Sequence, residues 1–294
     1  MAITITADDA FGAPRAGLGQ RVRTAIRRNP TIFAGGLLLL ILVLLAIAAP
    51  WITADPFKQT PANRLRPPSE KFWFGTDRYG RDVFARTLHG ARVSLTVGFA
   101  VAAISSLIGL ALGLICGYFR RVDAILMRIM DGIMAIPSIL LAIALITLTR
   151  PGLAIVIVAI VIPEVPRVVR VVRSVVLAIK TQPYIESAIA GGTRTMKLLL
   201  RHILPNTMAP LIVQSTYVCA SAMLTEAGLS FLGAGVPPEI PSWGNIIAQS
   251  RDFFQIASWA ILIPGAFLAL TVLAVNMLGD GLRDRLDPRL ARRL

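Results

Sequence analysis

Thr31-Ile-Phe-Ala-Gly-Gly-Leu-Leu-Leu-Leu-Ile-Leu-Val-Leu-Leu-Ala-Ile-Ala-Ala-Pro-Trp-Ile-Thr-Ala54 runs for 24 residues without a single charge. As a helix rising about 1.5 Å per residue it crosses the roughly 30 Å hydrocarbon layer of a bilayer. A basic tail holding Arg21, Arg23, Arg27 and Arg28 precedes it. Ala46 to Ala49 faintly mimics a signal-peptidase site, but the apolar run is longer than a signal core and its leading tail is long, so the block reads as a retained first span.

Working outward, further apolar blocks follow at 93–118, 124–149, 206–232 and 253–279. Asp123 stands where it would cap the third block, and Pro137 marks a kink in it. Arg150-Pro-Gly152 reads as a tight turn. A fourth span starts near Leu153, is interrupted by Pro163, Glu164 and Pro166, and emerges among Arg167, Arg170 and Arg173, whose long stems snorkel. About six helices result. The expected class is an all-α membrane protein with both termini on one side of the membrane.

Charge placement supports that orientation. Of 30 Arg and Lys residues, 20 fall in segments this topology puts inside and 10 outside, the asymmetry that holds membrane proteins in place. The net charge of +14 therefore lies beside the spans, and no soluble basic face with interleaved aromatics is present to bind nucleic acid. Cys116 and Cys219 sit inside apolar blocks as small hydrophobes, and with only His89 and His202 beside them no disulfide framework or metal centre is expected. No nucleophile–base set is visible, so no catalytic residue is assigned.

Residues 183–205, Pro-Tyr-Ile-Glu-Ser-Ala-Ile-Ala-Gly-Gly-Thr-Arg-Thr-Met-Lys-Leu-Leu-Leu-Arg-His-Ile-Leu-Pro, lie between spans four and five. Ile185, Ala188, Ile189, Gly192, Met196 and Leu199 fall at helical spacing and predict one apolar side. Arg194, Lys197 and Arg201 predict a basic row. Pro183 suits a helix start, Gly191-Gly192 a bend, and Pro205 the end of the second arm. Periodicity alone fits an amphipathic connector on the lipid surface equally well.

Residue identities favour a dock. Glu186-Ser-Ala188, Gly192 six positions after the acid, and Ile203-Leu204-Pro205 resemble the coupling signature of ABC importer permeases. Ser187 replaces the usual first alanine, and His202 stands where many members have isoleucine, a variant common in the peptide-transporting branch. Phe74-Gly-Thr-Asp77-Arg-Tyr-Gly-Arg-Asp82, Gly90-Ala-Arg92-Val-Ser-Leu95, Glu226-Ala-Gly-Leu-Ser-Phe-Leu-Gly233, Pro241-Ser-Trp-Gly244 and Gly279-Asp-Gly-Leu-Arg-Asp-Arg-Leu-Asp-Pro-Arg289 resemble the C-type subunit of the dipeptide, oligopeptide and nickel class. Gly228 replaces the usual serine.

The resemblance implies a type I importer fold in the bacterial cytoplasmic (inner) membrane. Its organisation would be a cytoplasmic tail (1–30), a first span (31–54), an extracytoplasmic loop (55–92), a permease core (93–281) with a coupling helix near 183–203, and a cytoplasmic tail (282–294). It implies a homologous second permease, one or two ABC ATPase subunits and an extracytoplasmic binding protein as partners. Tyr184, Ile185, Glu186, Ala188, Ile189, Gly192, Arg194, Met196, Leu199, His202 and Pro205 would meet or position the ATPase. The chain has no G-x-x-x-x-G-K-[ST] loop, so it is read as a non-enzyme that binds no cofactor, with ATP and Mg used by its ATPase partners. Cargo in this class ranges over dipeptides, oligopeptides, nickel chelates, glutathione and oligosaccharides, and is selected largely by the binding protein.

Four acidic features remain. Asp77 and Asp82 with Arg78 and Arg81 predict an ion-paired turn, because their spacing is wrong for a calcium loop. Glu226, about 30 Å from the inner end of its helix, reads as a structural or gate residue near the outer boundary. Glu164, about 18 Å from the outer end, pairs with Arg167 or lines the path. Arg128 and Asp131 are expected to pair. A secondary transporter would need ion-coupling groups on broken helices with an internal repeat, and no repeat is evident. An intramembrane protease would need a histidine in mid-span, and neither lies there.

Overall fold

The computed structural model describes residues 29–149 and 152–286. The basic N-terminal tail, the Arg150-Pro151 part of the predicted turn, and Arg289, Arg292 and Arg293 lie outside the described residues. Helices make up the architecture: α1 (Pro30–Ile52), α2 (Val83–Tyr118), α3 (Arg120–Met134), α4 (Ser138–Thr147), α5 (Leu153–Lys180), α6 (Pro183–Ala190), α7 (Thr195–Leu198), α8 (Leu204–Phe231), α9 (Trp243–Ser250) and α10 (Trp259–Leu286). Among the described residues β-structure is limited to one isolated bridge, Thr76 to Asp82.

α1, α2, the run 195–231 and α10 are long and apolar enough to cross a membrane, and the bent pair α3–α4 makes a fifth span. The expected fourth span, α5, is one continuous helix of 28 residues with Pro163 and Pro166 inside it. Its charges keep it below the composition of a simple span, and packing explains how it is carried. On α2, Gly109, Gly113 and Gly117 recur every four residues, and a Cβ at each would lie 2.5–2.6 Å from a side-chain atom of Val168, Val172 or Val176 of α5. Without side chains at these positions the two backbones approach closely, the way helices associate where hydrophobic driving force is weak. Gly98 does the same higher up, against Cys219 and Met223 of α8.

Several boundaries differ from the sequence reading, and the last span runs over Trp259–Leu286 rather than 253–279. α2 begins at Val83, ten residues before the apolar block, because the Asp82 side chain accepts from Phe84 N at 2.9 Å and caps it. The third span begins at Arg120, so Asp123 is not a cap and lies in the first turn of α3. At Pro137 the chain turns through 85°. Proline removes a backbone donor and disfavours helix at the residue before it, and here the result is a break between two helices rather than a kink in one.

Arg128 and Asp131 do not pair. Asp131 takes Arg170 of α5 at 2.6 Å, and Asp123 takes Arg173 in a two-pronged contact of 2.5 and 2.7 Å. Both arginines come from α5, so α3 is tied to the central helix rather than to itself. Two ends of the bundle can now be distinguished. The connector end carries α6 and α7, and the loop end carries residues 53–82 and α9.

Candidate functional site

At the connector end, Lys180 in the last turn of α5 donates to the carbonyls of Gly117 (3.4 Å) and Tyr118 (3.0 Å). Its ammonium also lies 5.1 Å from the Tyr118 ring centroid. Two helix termini are thereby fastened together, a cation meeting carbonyls left without partners in a final turn. Pro183 opens α6 three residues later, where its missing N–H removes nothing from the helix.

α6 stops in a Schellman motif. Thr193 N donates to Ala188 O and Gly192 N to Ile189 O, both at 3.0 Å, with Gly192 in the left-handed region at φ +76°. The glycine six residues after Glu186 is thus the residue that can end the helix this way without a Cβ penalty. The chain then re-enters helix at Thr195, passes through a π-helical stretch over Leu199–Ile203, and continues into α8. Pro205 therefore does not end the second arm. It lacks the N–H that would bond the Arg201 carbonyl and its ring would crowd that group, and the widened turn just before it accommodates both.

The predicted single apolar side divides in two, because only one side of α6 meets the bundle and the turn at Gly192 resets the helical phase beyond it. Ile185, Leu198 and Ile203 are fully buried and Leu199 nearly so. These residues fix the segment to the bundle. Ile189 (52% exposed) and Met196 (66%) point away, with Tyr184 also exposed. Glu186, Gly192, Arg194 and Pro205 are exposed, while Ala188 and His202 are half-buried. Among the described residues, Glu186, Arg194, Lys197 and Arg201 form no ion pair. The geometry is a rigid platform with a mixed apolar and charged outer face.

At the loop end, Glu226 is fully buried, and its Oε1 accepts from Ser230 and Ser242 at 2.8 Å each, its Oε2 from Ser94 at 3.4 Å. Ser242 also caps α9 through Asn245 N, and Trp243, fully buried, donates from Nε1 to Thr87 O at 3.0 Å. Asp77 pairs with Arg81 at 2.6 Å and Arg86 at 3.0 Å, and Gln249 Oε1 accepts from both guanidiniums. The ion-paired turn thus centres on Asp77, while Asp82 serves as the cap. Burial raises the Asp82 carboxyl above its ordinary value, against backbone hydrogen bonds from Phe84 and Ala85 that lower it. Glu164 in mid-bundle pairs with Arg167 at 2.8 Å.

Two features were missed. The glycine column of α2 was readable as small residues at four-residue intervals in an apolar run. Ser230 is a local partner of Glu226, four residues on along α8, but Ser94 and Ser242 come from other segments and no local pattern announces them.

The family model described as binding-protein-dependent transport system inner membrane component matches residues 109–292. The chain belongs to that family. A second model, the N-terminal TM domain of oligopeptide transport permease C, matches residues 17–68 of the permease. The permease is 57% identical to a probable peptide ABC transporter permease of Sinorhizobium fredii, over 99% of this chain and all of the relative. It is 43% identical to the dipeptide transport system permease of Alkalihalophilus pseudofirmus and 38% identical to the oligopeptide transport system permease of Bacillus subtilis, each over 90% of this chain and 88% of the relative. A chain of the inward-facing MetNI methionine ABC transporter shares the fold, with TM-score 0.58 and 22% identity over 69% of the permease and 96% of that chain. The permease is accordingly a multi-pass inner-membrane subunit of an ABC importer, with the type I fold.

Proposed function

We propose that the permease forms, with a second homologous permease, the path by which peptides enter the cell, and that residues 183–203 take up the motion of a separate ATPase. The observation that carries this is the platform itself, whose buried residues Ile185, Leu198, Leu199 and Ile203 lock it to the bundle. A push on Tyr184, Ile189 or Met196 would then be transmitted to α5 and α8 rather than absorbed by a loose loop. Small side chains and glycine at positions 188, 190 and 192 permit close approach, and Glu186 and Arg194 supply charges for a complementary surface.

In this reading residues 183–203 and both termini are cytoplasmic and the loop end is extracytoplasmic. One or two ABC ATPase subunits bind ATP and Mg, and this chain binds no cofactor. An extracytoplasmic binding protein delivers the solute. Nucleotide binding draws the ATPases together and switches the permease pair between two discrete packed states. Peptide is favoured as cargo because the relatives that match across nearly the whole chain are named for peptide, dipeptide or oligopeptide transport.

Purification in mild detergent should recover the second permease and an ATPase with this chain. In vesicles, Gly192→Arg and Glu186→Arg should remain inserted yet abolish ATP-driven peptide uptake. Unchanged uptake by both variants contradicts the dock, and full transport by this chain alone without ATP contradicts the whole reading.

A further inference from the structure

The middle of the bundle has an open face that lipid would not accept. Glu164 lies 11 residues into α5 from Leu153, and Ser221 lies 10 residues before the end of α8 at Phe231, so both sit about 16 Å from the loop end. Arg167 Nη1 donates to Glu164 Oε1 at 2.8 Å, and Ser221 Oγ approaches the same oxygen at 3.4 Å. Glu164 is buried and its Oε2 has no partner. Arg167 keeps 36% of its side chain exposed, and the rest of its guanidinium is uncommitted among the described residues.

α8 continues this face. Gln214, Tyr217, Ser221 and Thr225 follow one another at helical spacing and all stay partly or largely exposed, while Val218, Cys219, Ala222, Met223 and Glu226 on the other side are buried. Beside them lies the α3–α4 break, where Ala135, Ile136 and Pro137 are exposed. Its level is set from both sides. Asp131 before the break meets Arg170, and Ile139 after it lies against Gly228. That brackets the level of Glu164 and Ser221. Broken backbone and a charged side chain at such depth are tolerated where they meet protein or a water-filled cavity, not hydrocarbon.

We propose that this face lines the solute path and that Arg167 receives the carboxylate of the passing solute, with Glu164 acting as the positioning residue that holds the guanidinium. The proposal rests on the reading of the permease as half of a peptide path. The uncommitted N–H groups of the guanidinium attract a carboxylate by charge and a single charge-assisted hydrogen bond, which an ammonium can also supply. Because Glu164 already offsets its charge, Arg167 holds that carboxylate weakly enough to release it, as conduction requires.

The test uses the complete importer with its binding protein, in vesicles. Arg167→Gln should lower peptide uptake about tenfold, equivalent to about 1.4 kcal/mol, while binding-protein-stimulated ATP hydrolysis persists and Arg167→Lys restores most of the uptake. Uptake by Arg167→Gln equal to the parent, or a lysine variant as defective as the glutamine one, overturns the carboxylate role. A second arm does not depend on cargo. With Cys116 and Cys219 replaced by alanine, Tyr217→Cys and Thr225→Cys should react with a membrane-impermeant maleimide in at least one nucleotide state, whereas Leu44→Cys on α1 should not. If both stay as unreactive as Leu44→Cys in every state, the face meets lipid or is sealed by the second permease, and the proposal falls. A parent importer that takes up no peptide defeats the cargo reading of the preceding section and leaves this arm decisive for the path.

Discussion

The two ends of the permease stop a helix in the same way and then diverge. α6 ends on Gly192 at φ +76°, and α8 ends on Gly233 at φ +83° with Ala234 N bonded back to Leu229 O. Beyond Gly233 the chain returns into the protein, where Ser242, Trp243 and Asn245 are buried and their polar atoms find partners within the chain. Beyond Gly192 the chain shows Arg194, Met196 and Lys197 to the outside. The loop end gives the polar groups of Glu226, Ser242, Trp243 and Asn245 partners within the chain. The connector end has buried its attachments and left Glu186, Arg194, Lys197 and Arg201 without ion pairs among the described residues. Identical local chemistry thus serves closure at one end and presentation at the other.

The comparison is broken most forcefully at Trp243. Trp243→Ala removes a fully buried ring and its hydrogen bond to Thr87, and should cost about 3–5 kcal/mol, seen as lost thermal stability of the purified protein. Ile185→Ala at the connector end should cost about 2–4 kcal/mol, and should also reduce uptake per assembled complex, because the platform loosens.

Glu226→Ala should cost about 1–3 kcal/mol by leaving the hydroxyls of Ser94, Ser230 and Ser242 without their shared acceptor. Glu226→Gln, which keeps an acceptor oxygen, should cost less. Thermal denaturation of both variants checks the order, and equal losses would deny Glu226 its role as the hub of that end. Gly192→Ala meets no atom within 4 Å, so its penalty of about 1–2 kcal/mol comes from backbone conformation alone. Uptake should fall while assembled protein is retained. Smallest of all, Met196→Ser should leave stability within about 0.5 kcal/mol, yet weaken recovery of the ATPase on purification.

Much of this was legible in the sequence because membranes restrict the options. Uncharged runs such as 31–54 and 93–118 admit one regular structure, and α1 covers all but the last two residues of the first while α2 contains the second. Pro183 and Gly192 announced the first arm of the dock through chemistry that acts within a few residues. What escaped was non-local. The division of Ile185 from Ile189 depends on which side of α6 meets the bundle, and periodicity extrapolated through Gly192 placed Met196 and Leu199 on one face although Met196 is exposed and Leu199 is buried. Asp123 and Asp131 resembled a cap and a local pair, but Arg170 and Arg173 of α5 claim them both. Pro205 read as a terminator because a proline's effect on its own turn is visible in sequence, whereas the π-helical stretch that absorbs it is not.

The central claim is that the outer face of residues 183–203 meets the ATPase while the inner face holds the permease. In an importer lacking native cysteines, Ile189→Cys and Met196→Cys should cross-link to cysteines introduced across the facing ATPase surface, and Ile185→Cys should not. Efficient cross-linking from Ile185→Cys, or none from Ile189→Cys and Met196→Cys in an intact complex, would contradict it.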